Sequence, residues 1–522
     1  MPTELELDLG LDEPDQPEDL RRRVARELRR DLDEIPDVAI RRRSIDARRG
    51  RVRLHVLLAL GDEDPHERGA PMPREVKGER RVLVVGDGPA GLFAAYELAR
   101  AQIPCTVLDR GKTVQPRRHD LKGLQRLGVV DEDSNYCFGE GGAGTYSDGK
   151  LYTRAHKRGN VRDVLETLAV HGAPDAILVD ARPHIGSNKL PKVVTALRER
   201  LEACGQQFEF GARVVDLLVA QRGGRRAVVG VKLADGRELG ADAIVLATGH
   251  SAREVFDLLA AHAITLEPKP FALGVRIEHP QPFINAVQYG RDAGHPRLPN
   301  ASYRVAAEIE SRGVFSFCMC PGGWIVPAST EPDGLVVNGM SLSRRDSPYA
   351  NSGLVVAVEL EDLERAGLRG PLAGVELQRR VERAASVAGG GMLRAPATRA
   401  SDFLRGRGST TTPETSYLPG LTAGDVRDVL DAGGVPLAAR LRDGLKRFEG
   451  RMRGYGGEDA VLVGVESRTS SPVRVPRDPG TLVSIDVDGL YPTGEGAGYA
   501  GGIVSAAIDG VRVARAIAEA LG

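Results

Sequence analysis

The stretch from Arg81 to Arg110 constrains the fold more than any other part of this chain of 522 residues. It begins with a short β-branched apolar run, Val82 to Val85, that has the length of a strand. Three glycines follow at the spacing G-x-G-x-x-G, and the next residues, Leu92 to Arg100, have the apolar periodicity of a helix. A second apolar run, Cys105 to Leu108, ends in Asp109. The sequence therefore predicts a strand–turn–helix–strand unit.

Each glycine of this turn meets a separate requirement of dinucleotide binding. Gly86 permits the tight turn out of the strand, Gly88 lets the backbone approach a pyrophosphate, and Gly91 lets the helix pack closely on the strand. The unpaired N–H groups at the helix N-terminus favour the anion, and Asp109 is placed to accept hydrogen bonds from a ribose. From these residues alone NAD, NADP and FAD all remain open. The predicted contacts of the turn are Gly86, Gly88, Pro89, Ala90, Gly91 and Asp109.

Composition and charge exclude several classes of protein. The net charge is -1 and 41% of the residues are hydrophobic, so the molecule offers no general attraction to nucleic acid or to an anionic membrane. No apolar run is long enough to span a bilayer, and the acidic N-terminus lacks the basic and apolar regions of a signal peptide. A cytoplasmic location is the resulting expectation. Five cysteines and ten scattered histidines form neither a disulfide framework nor a metal-ligand pattern, so we expect no bound metal.

The chain before the glycine turn divides into three short segments. Residues 1–19 are acidic and poor in large apolar side chains, which predicts a disordered tail. Residues 20–60 combine a charged helical pattern with two strand-like runs, which predicts a small α+β module rich in arginine. Residues 61–79 are polar and Pro-rich, as in a linker. The arginines form either a surface for nucleic acid or an acidic partner, or a solvated face balanced by the acidic tail, and the second interpretation is favoured.

Five longer motifs after the glycine turn carry a family resemblance. They read FGEGGAGTYSDGKLYTR, LGVRIEHPQ, FCMCPGG, GVESRTSSPVRV and GEGAGYAGGI, and they begin at residues 138, 273, 317, 464 and 494. With these motifs, and with Ala247-Thr248-Gly249 after a late strand, the chain resembles flavoproteins that have a glutathione-reductase-like FAD fold. It is similar above all to a largely uncharacterised bacterial group, the FAD-dependent dehydrogenases. The resemblance covers roughly residues 40–522.

The resemblance implies a discontinuous α/β architecture. Residues 80–265 would form the first part of a Rossmann-type FAD-binding domain, residues 266–459 an inserted α+β substrate domain, and residues 460–522 the closing part of the FAD domain. No second complete strand–turn–helix–strand unit that ends in an acid follows residue 91, which argues against a separate NAD(P)H domain. Electrons would then come from the substrate itself or from NAD(P)H that binds transiently at the flavin.

The resemblance also implies FAD contacts along the chain. Arg110 would lie near the adenosine, Val214 or Val215 would offer backbone hydrogen bonds to the adenine, and Glu495 would bind a ribityl hydroxyl. The glycine-rich loop would approach the ribityl chain and the isoalloxazine ring, and the last helix would direct its positive end to the flavin N1–C2=O region. The implied contacts are Arg110, Gly141, Gly142, Ala143, Gly144, Thr145, Val215, Ala247, Thr248, Gly249, Gly494, Glu495, Gly502 and Ile503.

Three groups of residues are candidates for chemistry beside the flavin. Cys318 and Cys320 are either a reactive thiol pair or buried small apolar side chains, and the second interpretation is slightly favoured. Arg276 and Glu278 alternate along a strand and share one face, so they either bind an anion and exchange protons or form an exposed ion pair. Arg468 is the strongest candidate for fixing a carboxylate or polarising the flavin.

These observations predict an FAD-dependent oxidoreductase that transfers a hydride between a small-molecule substrate and flavin N5. Two alternatives remain open. One is a thiol or disulfide reductase that uses Cys318 and Cys320. The other is a flavin-binding protein that binds nucleic acid or another partner through the arginine-rich module of residues 20–60.

Overall fold

The N-terminal module is a three-stranded antiparallel sheet covered by one helix. The structure of the chain is a computed structural model, which describes residues 2–47, 51–61, 69–153 and 157–522. In the module, Arg53–Leu60 is the central strand, between Glu4–Leu9 and Val38–Asp46. The helix Pro17–Leu28 packs its apolar face, which includes Leu20, into the core of the module.

Residues 4–9 correct the prediction of a disordered tail. They form a strand in which Leu7 and Leu9 are buried, because acidic and apolar residues alternate and the apolar ones all face the helix. The strand pairs with the central strand from Glu4↔Ala59 to Leu9↔Leu54. Part of the predicted linker, residues 62–68, lies outside the described residues, as does the end of the first family motif at residue 154.

A five-stranded parallel sheet forms the frame of the predicted nucleotide site. Its central strand is the first strand of the glycine-turn unit, and every residue of that strand is buried, as is typical of a parallel sheet covered on both faces. The helices Pro89–Arg100 and Ile503–Leu521 pack on each other against this sheet, so the end of the chain closes the unit that the glycine turn begins. Across the sheet the strands are Leu490–Pro492, Ala243–Leu246, Val82–Val85, Cys105–Asp109 and Gln207–Phe210.

A seven-stranded sheet forms the second large layer. The helices Ala373–Gly389, Val426–Asp431 and Leu437–Arg451 pack on it in a single hydrophobic core. In order across the sheet, its strands are Ala306–Ile309, Arg312–Cys320, Tyr349–Val358, Phe271–Pro280, Val461–Glu466, Ala395–Arg399 and Leu421–Ala423.

One strand of this large sheet, Val461–Glu466, lies beyond the boundary that the sequence predicts for the inserted domain. Val461–Glu466 pairs with Phe271–Pro280 on one side and with Ala395–Arg399 on the other. The expected boundary at residue 460 therefore lies one strand too early, because a buried apolar run of six residues has the same pattern in either sheet. The chain returns to the parallel sheet only at Leu490–Pro492.

Smaller elements join the two large sheets. One antiparallel sheet contains Val214–Arg222, Arg225–Leu233 and Glu238–Gly240. Two further antiparallel pairs join Gly323–Pro327 to Val337–Ser341 and Glu267–Pro268 to Val473–Arg474. The remaining α-helices are Val114–Leu127, Val161–Val170, Leu190–Ala203, Arg253–Ala261, Gln281–Tyr289, Leu360–Arg365 and Ala400–Leu404. Short 3₁₀ helices cover Leu32–Glu34, Gly142–Gly144, Asp175–Leu178 and Gly290–Asp292.

The mixed α/β class predicted from the sequence is confirmed, with parallel strands in one sheet and mostly antiparallel strands in the other. Within the ranges described above, none of the helices is long and apolar enough to cross a membrane.

Candidate active site

A cavity of about 570 Å³ lies between the parallel sheet and the large sheet. It opens at the carboxyl ends of the parallel strands, where Val85, Leu108 and Leu246 line it, and this is the edge at which α/β sheets bind ligands. Fifteen of the predicted cofactor contacts line the cavity. They are Gly86, Gly88, Pro89, Ala90, Asp109, Arg110, Gly142, Ala143, Gly144, Ala247, Thr248, Gly249, Glu495, Gly502 and Ile503.

The other five predicted contacts do not line the cavity. Gly91 packs on the first strand, and Gly141 lies against Thr145, whose hydroxyl donates to the Glu140 carbonyl at 2.7 Å. Gly494 donates its N–H to Asp509 Oδ2 at 2.8 Å. Val215 is 42% exposed and its neighbour Val214 lines the cavity instead, because successive residues of a strand face opposite sides.

The glycine turn leaves room for a ligand at one position and none at the others. A Cβ at Gly91 would lie 1.9 Å from the Gly86 carbonyl oxygen, and a Cβ at Gly86 would lie 2.5 Å from that of Ala247. A Cβ at Gly88, the residue before the helix, would meet no atom within 4 Å. The helix Pro89–Arg100 has no side-chain cap, so its first N–H groups are available to an anion in the open space beside Gly88.

Asp109 is held in place by the backbone. Its Oδ1 accepts N–H bonds from Gly111 at 2.8 Å and Gly139 at 3.0 Å, and its Oδ2 accepts one from Asp87 at 3.1 Å. Asp87 is fully buried and its Oδ1 has no hydrogen-bond partner. Burial raises the pKa of Asp87 well above its usual range, and the nearby Asp109 and Glu140 carboxylates raise it further. The motif analysis missed Asp87 because it occupies a variable x position of the fingerprint.

The glycine-rich loop is held by a buried arginine that sequence reasoning also missed. Arg117 Nε donates to the Asn135 carbonyl at 2.8 Å, and its Nη atoms donate to the carbonyls of Glu140 at 2.8 Å, Gly142 at 2.9 Å and Tyr136 at 3.0 Å. Four carbonyl contacts on one guanidinium make the loop a rigid wall of the cavity.

The large sheet contributes the opposite wall, where the CxC segment lies. Cys318 lines the cavity, whereas Cys320 is fully buried behind it. Lys150 Nζ lies 3.5 Å from the Sγ atoms of both cysteines and 3.3 Å from Asp148 Oδ2. Lys150 and Asp148 also line the cavity. They were missed because they are separated from the cysteines by about 170 residues of sequence.

Arg276 and Glu278 face the same side of their strand, but only Arg276 lies against the cavity wall. Arg276 donates to Asn338 Oδ1 at 3.0 Å and to the Cys318 carbonyl at 2.7 Å, directly behind the cavity wall. Glu278 accepts hydrogen bonds from Thr415 and from the N–H of Ser416 at 2.8 and 2.9 Å and does not line the cavity. Glu278 therefore anchors a loop, which corrects its prediction as an acid or base beside the flavin.

Glu466 is a further ionisable residue of this wall that faces the cavity. It lines the cavity, is 3% exposed, and its Oε2 has no hydrogen-bond partner although Arg276 Nε lies 3.3 Å away. Burial raises the pKa of Glu466 to about 7, against the opposing effect of Arg276. Glu466 is thus a carboxyl group that can hold or release a proton near neutral pH.

Arg468 lines the cavity but is already paired. Its Nη1 donates to Thr330 Oγ1 at 2.6 Å and its Nη2 to Glu382 Oε2 at 3.1 Å, while Arg253 binds the same carboxylate at 2.6 Å. Burial favours the neutral form of Glu382, but Arg468 and Arg253 outweigh it and lower its pKa to about 2. Arg468 therefore binds a carboxylate of the chain itself, whereas the sequence analysis expected it to fix the carboxylate of a substrate.

Comparisons with known proteins place the chain in a family. A family model described as "FAD-dependent protein, C-terminal domain-like" matches residues 270–469, and a domain of unknown function matches residues 1–60. An uncharacterised protein of Clostridium beijerinckii is 42% identical over 442 residues, which cover 84% of this chain and 81% of that protein. The chain belongs to this family of FAD-dependent proteins.

Solved structures similar to this FAD-dependent protein are more distant. One is a flavoprotein/dehydrogenase from Cytophaga hutchinsonii, with 11% identity over 84% of this chain and 78% of that chain and a TM-score of 0.37. Another is a geranylgeranyl bacteriochlorophyll reductase-like protein from Thermoplasma acidophilum, with 14% identity over 85% and 79% of the two chains and a TM-score of 0.33.

FAD, the cofactor of this family, fits the residues of the cavity. The open space at Gly88 beside uncapped N–H groups suits a pyrophosphate, and Asp109 lies where a ribose hydroxyl would reach it. At the other end, Glu495 and His250 line the cavity with 3.8 Å between Oε1 and Nε2. Burial raises the pKa of Glu495 to about 7 and lowers that of His250 to about 3, so a neutral imidazole and a carboxyl group that titrates near neutral pH face the space.

Proposed function

We propose that this protein is an oxidoreductase that transfers a hydride between a small-molecule substrate and flavin N5. The observation that supports it is a single cavity that begins at the glycine turn, with Gly88 and Asp109, and ends at the large sheet, with Cys318 and Glu466. Such a cavity has space for a dinucleotide at one end and for a reacting molecule at the other. Bound FAD would supply two-electron chemistry that side chains lack.

The chain's own residues would bind and orient the cofactor. Ala90 and the following N–H groups would hold the pyrophosphate, Asp109 the ribose, and Glu495 a ribityl hydroxyl. The helix Ile503–Leu521 begins at the cavity with Gly502 as its first flanking residue, and its positive end would favour negative charge on the flavin ring.

On the substrate side, the wall combines apolar side chains with one proton-holding group. Phe317, Val336 and Val337 give an apolar surface that excludes water, and Asn338 offers an amide. Glu466 would give or take the substrate proton, because it is buried, faces the cavity and has a pKa near neutrality. Arg276 would position Glu466 from behind the wall.

The proposal includes the domain layout expected from the sequence, with the second boundary moved beyond residue 466. It is supported by the parallel sheet, in which Leu490–Pro492 pairs with Ala243–Leu246 and thereby joins the C-terminal segment to the first part. In a glutathione-reductase-like arrangement without a second complete strand–turn–helix–strand unit, the electron donor would be the substrate or transiently bound NAD(P)H.

The N-terminal arginines give little support to the alternative of nucleic-acid binding. Arg41 pairs with Glu4 of the acidic strand at the opposite edge of the small sheet, and Arg53 of the central strand lies 3.9 Å from Asp8. Arg43 lies 2.9 Å from Asp180 of the main body. Carboxylates of the same molecule therefore neutralise part of the positive charge of these arginines, which weakens their attraction for the phosphates of a nucleic acid.

Absorbance spectroscopy tests the proposal. The purified protein should show flavin absorbance, directly or after incubation with FAD, and anaerobic addition of NADH, NADPH or pooled metabolites should bleach it. Glu466→Gln should retain the bound flavin but slow the bleaching by the productive donor, with Glu376→Gln on the exposed face as control. A colourless protein that binds no FAD would overturn the proposal.

A further inference from the structure

The strand that carries Cys318 and Cys320 is irregular at this point. Its pairing with the neighbouring strand is regular up to Phe317↔Gly353 and resumes at Cys320↔Asn351, with a register shift between them. Cys318 has a φ of 45°, in the left-handed region that few side chains other than glycine adopt. In a regular strand, residues two apart are separated by about 6.6 Å. Here both sulfurs lie 3.5 Å from the same Lys150 nitrogen, and the Cys320 thiol donates to the Cys318 carbonyl.

Lys150 lies beside both sulfurs, at 3.5 Å from each. The carboxylate nearest to Lys150 is that of Asp148, at 3.3 Å, and it is shared with Arg345, whose Nη2 donates to Asp148 Oδ2 at 2.8 Å. Two cations therefore face one buried carboxylate, and the excess positive charge lies next to the thiols. A thiolate at this place would be balanced by that charge.

The two thiols differ in access and in their hydrogen bonds. Cys318 lines the cavity, whereas Cys320 is fully buried and also directs its Sγ to the Cys318 carbonyl at 3.4 Å. Interaction with the neighbouring Cys320 thiol lowers the pKa of the Cys318 thiol, and Lys150 and Arg276 lower it further against the effect of burial. The same interaction, together with burial, raises the pKa of Cys320.

We propose that Cys318 and Cys320 form a redox-active dithiol that exchanges with disulfides in the cavity. Cys318 is the attacking sulfur, Cys320 is the resolving sulfur, and Lys150 is the positioning residue that holds the attacking sulfur as a thiolate. The inference goes beyond the proposed hydride transfer, because the exchange uses only the sulfur atoms of this chain and of the disulfide.

The exchange balances in two steps. The Cys318 thiolate attacks a disulfide R–S–S–R, forms a mixed disulfide and releases one thiolate RS⁻. The Cys320 thiol then gives its proton to that thiolate and attacks Cys318 Sγ, which releases a second RS⁻ and leaves a Cys318–Cys320 disulfide. The substrate gains two electrons and the protein dithiol loses them. Regeneration of the dithiol requires two electrons and two protons from a two-electron carrier.

Alkylation of the intact flavoprotein by iodoacetamide tests the thiolate. Cys137 lines the same cavity and is partly exposed, so it is the internal control for access of the reagent. Near pH 6 we expect Cys318 to react at least about tenfold faster than Cys137, since each unit of lowered pKa raises the thiolate fraction about tenfold below the pKa. Lys150→Met should lower the alkylation rate of Cys318 about tenfold and shift its pH profile to higher pH. Lys150→Arg, which keeps the positive charge, should restore most of the rate.

Oxidation with glutathione disulfide, followed by peptide mapping without reductant, tests the resolving step. We expect an internal Cys318–Cys320 bond in the wild type and a stable glutathione adduct on Cys318 in Cys320→Ala. Flavin absorbance and thermal unfolding show whether each variant is folded, and they report on the proposed function separately. The proposal is overturned if Cys318 reacts no faster than Cys137, if Lys150→Met leaves the pH profile unchanged, or if no internal bond forms.

Discussion

Arg276 Nε lies 3.3 Å from Glu466 Oε2, between two neighbouring strands of the large sheet, and both side chains are buried. Arg276 also donates to Asn338 and to the Cys318 carbonyl. One guanidinium thus contacts three parts of the cavity wall. The pair lacks hydrogen-bond geometry, so the arginine only partly offsets the cost of burying the Glu466 carboxylate.

The pKa of Glu466 predicts a pH-dependent effect of Glu466→Gln on stability. This pKa is raised from 4.5 to about 7 in the folded protein. The folded state therefore binds the proton more tightly, and the resulting stabilisation is present below about pH 4.5 and is lost as the pH rises to about 7. Because glutamine does not titrate, the free energy of unfolding of Glu466→Gln relative to that of wild type should rise by about 3 kcal/mol from about pH 4 to about pH 8. Urea unfolding at both pH values measures it, and a difference that is independent of pH would contradict the assignment.

Two glycines of the turn should separate folding from cofactor binding. Gly91→Ala places a Cβ 1.9 Å from the Gly86 carbonyl, so we expect a loss of at least about 1–3 kcal/mol of stability together with loss of FAD. Gly88→Ala meets no atom within 4 Å, so it should leave thermal unfolding of the FAD-free protein unchanged and weaken only FAD binding. Differential scanning calorimetry and FAD titration measure the two effects. Equal FAD affinity in Gly88→Ala and wild type would contradict the placement of the pyrophosphate.

The buried carboxylate that joins Arg253 and Arg468 should be essential for stability. Glu382→Gln leaves Arg468 without its carboxylate and leaves Arg253 with Glu331 alone, at 3.5 Å, and we expect a loss of about 3–5 kcal/mol near neutral pH. Since the pKa of Glu382 is lowered to about 2, the wild-type stabilisation is complete above about pH 4.5 and declines as the pH falls toward 2. The matched control is Glu376→Gln, which breaks an exposed pair with Arg380 on the same helix and should cost less than about 1 kcal/mol. Equal unfolding free energies for the two variants would contradict this role.

The N-terminal module should dock through its backbone rather than through its arginines. Arg43 donates its N–H to the Val179 carbonyl at 2.8 Å, and its carbonyl accepts from the Ala181 N–H at 2.9 Å. Its side chain pairs with Asp180 but is 41% exposed, so this ion pair contributes little. Arg43→Ala should therefore change stability by less than about 1 kcal/mol, while Arg43→Pro removes the donor and should loosen the contact. Hydrogen exchange of the Ala181 amide reports on the docking. Faster exchange in Arg43→Ala than in Arg43→Pro would contradict it.

Local patterns predicted those parts of the fold that depend on neighbouring residues. The glycine turn and its helix were found because strand, turn and helix each have their own periodicity, and most of the turn residues do line the cavity. The N-terminal strand Glu4–Leu9 was missed, because its alternation is short and acidic and the strand is stabilised by pairing with Arg53–Leu60 and by packing on the helix Pro17–Leu28. A prediction from composition cannot include a partner strand that lies fifty residues away.

The sequence by itself determined the nucleotide-binding unit and the resemblance to FAD-dependent proteins, since both reside in contiguous motifs. Only the tertiary structure decided the roles of the charged residues. It paired Arg468 with Glu382, turned Glu278 toward Ser416, and placed Lys150 beside Cys318. The physical reason is that the pKa and reactivity of a buried group depend on charges within a few ångströms, and here the chain brings those charges from segments far apart in sequence.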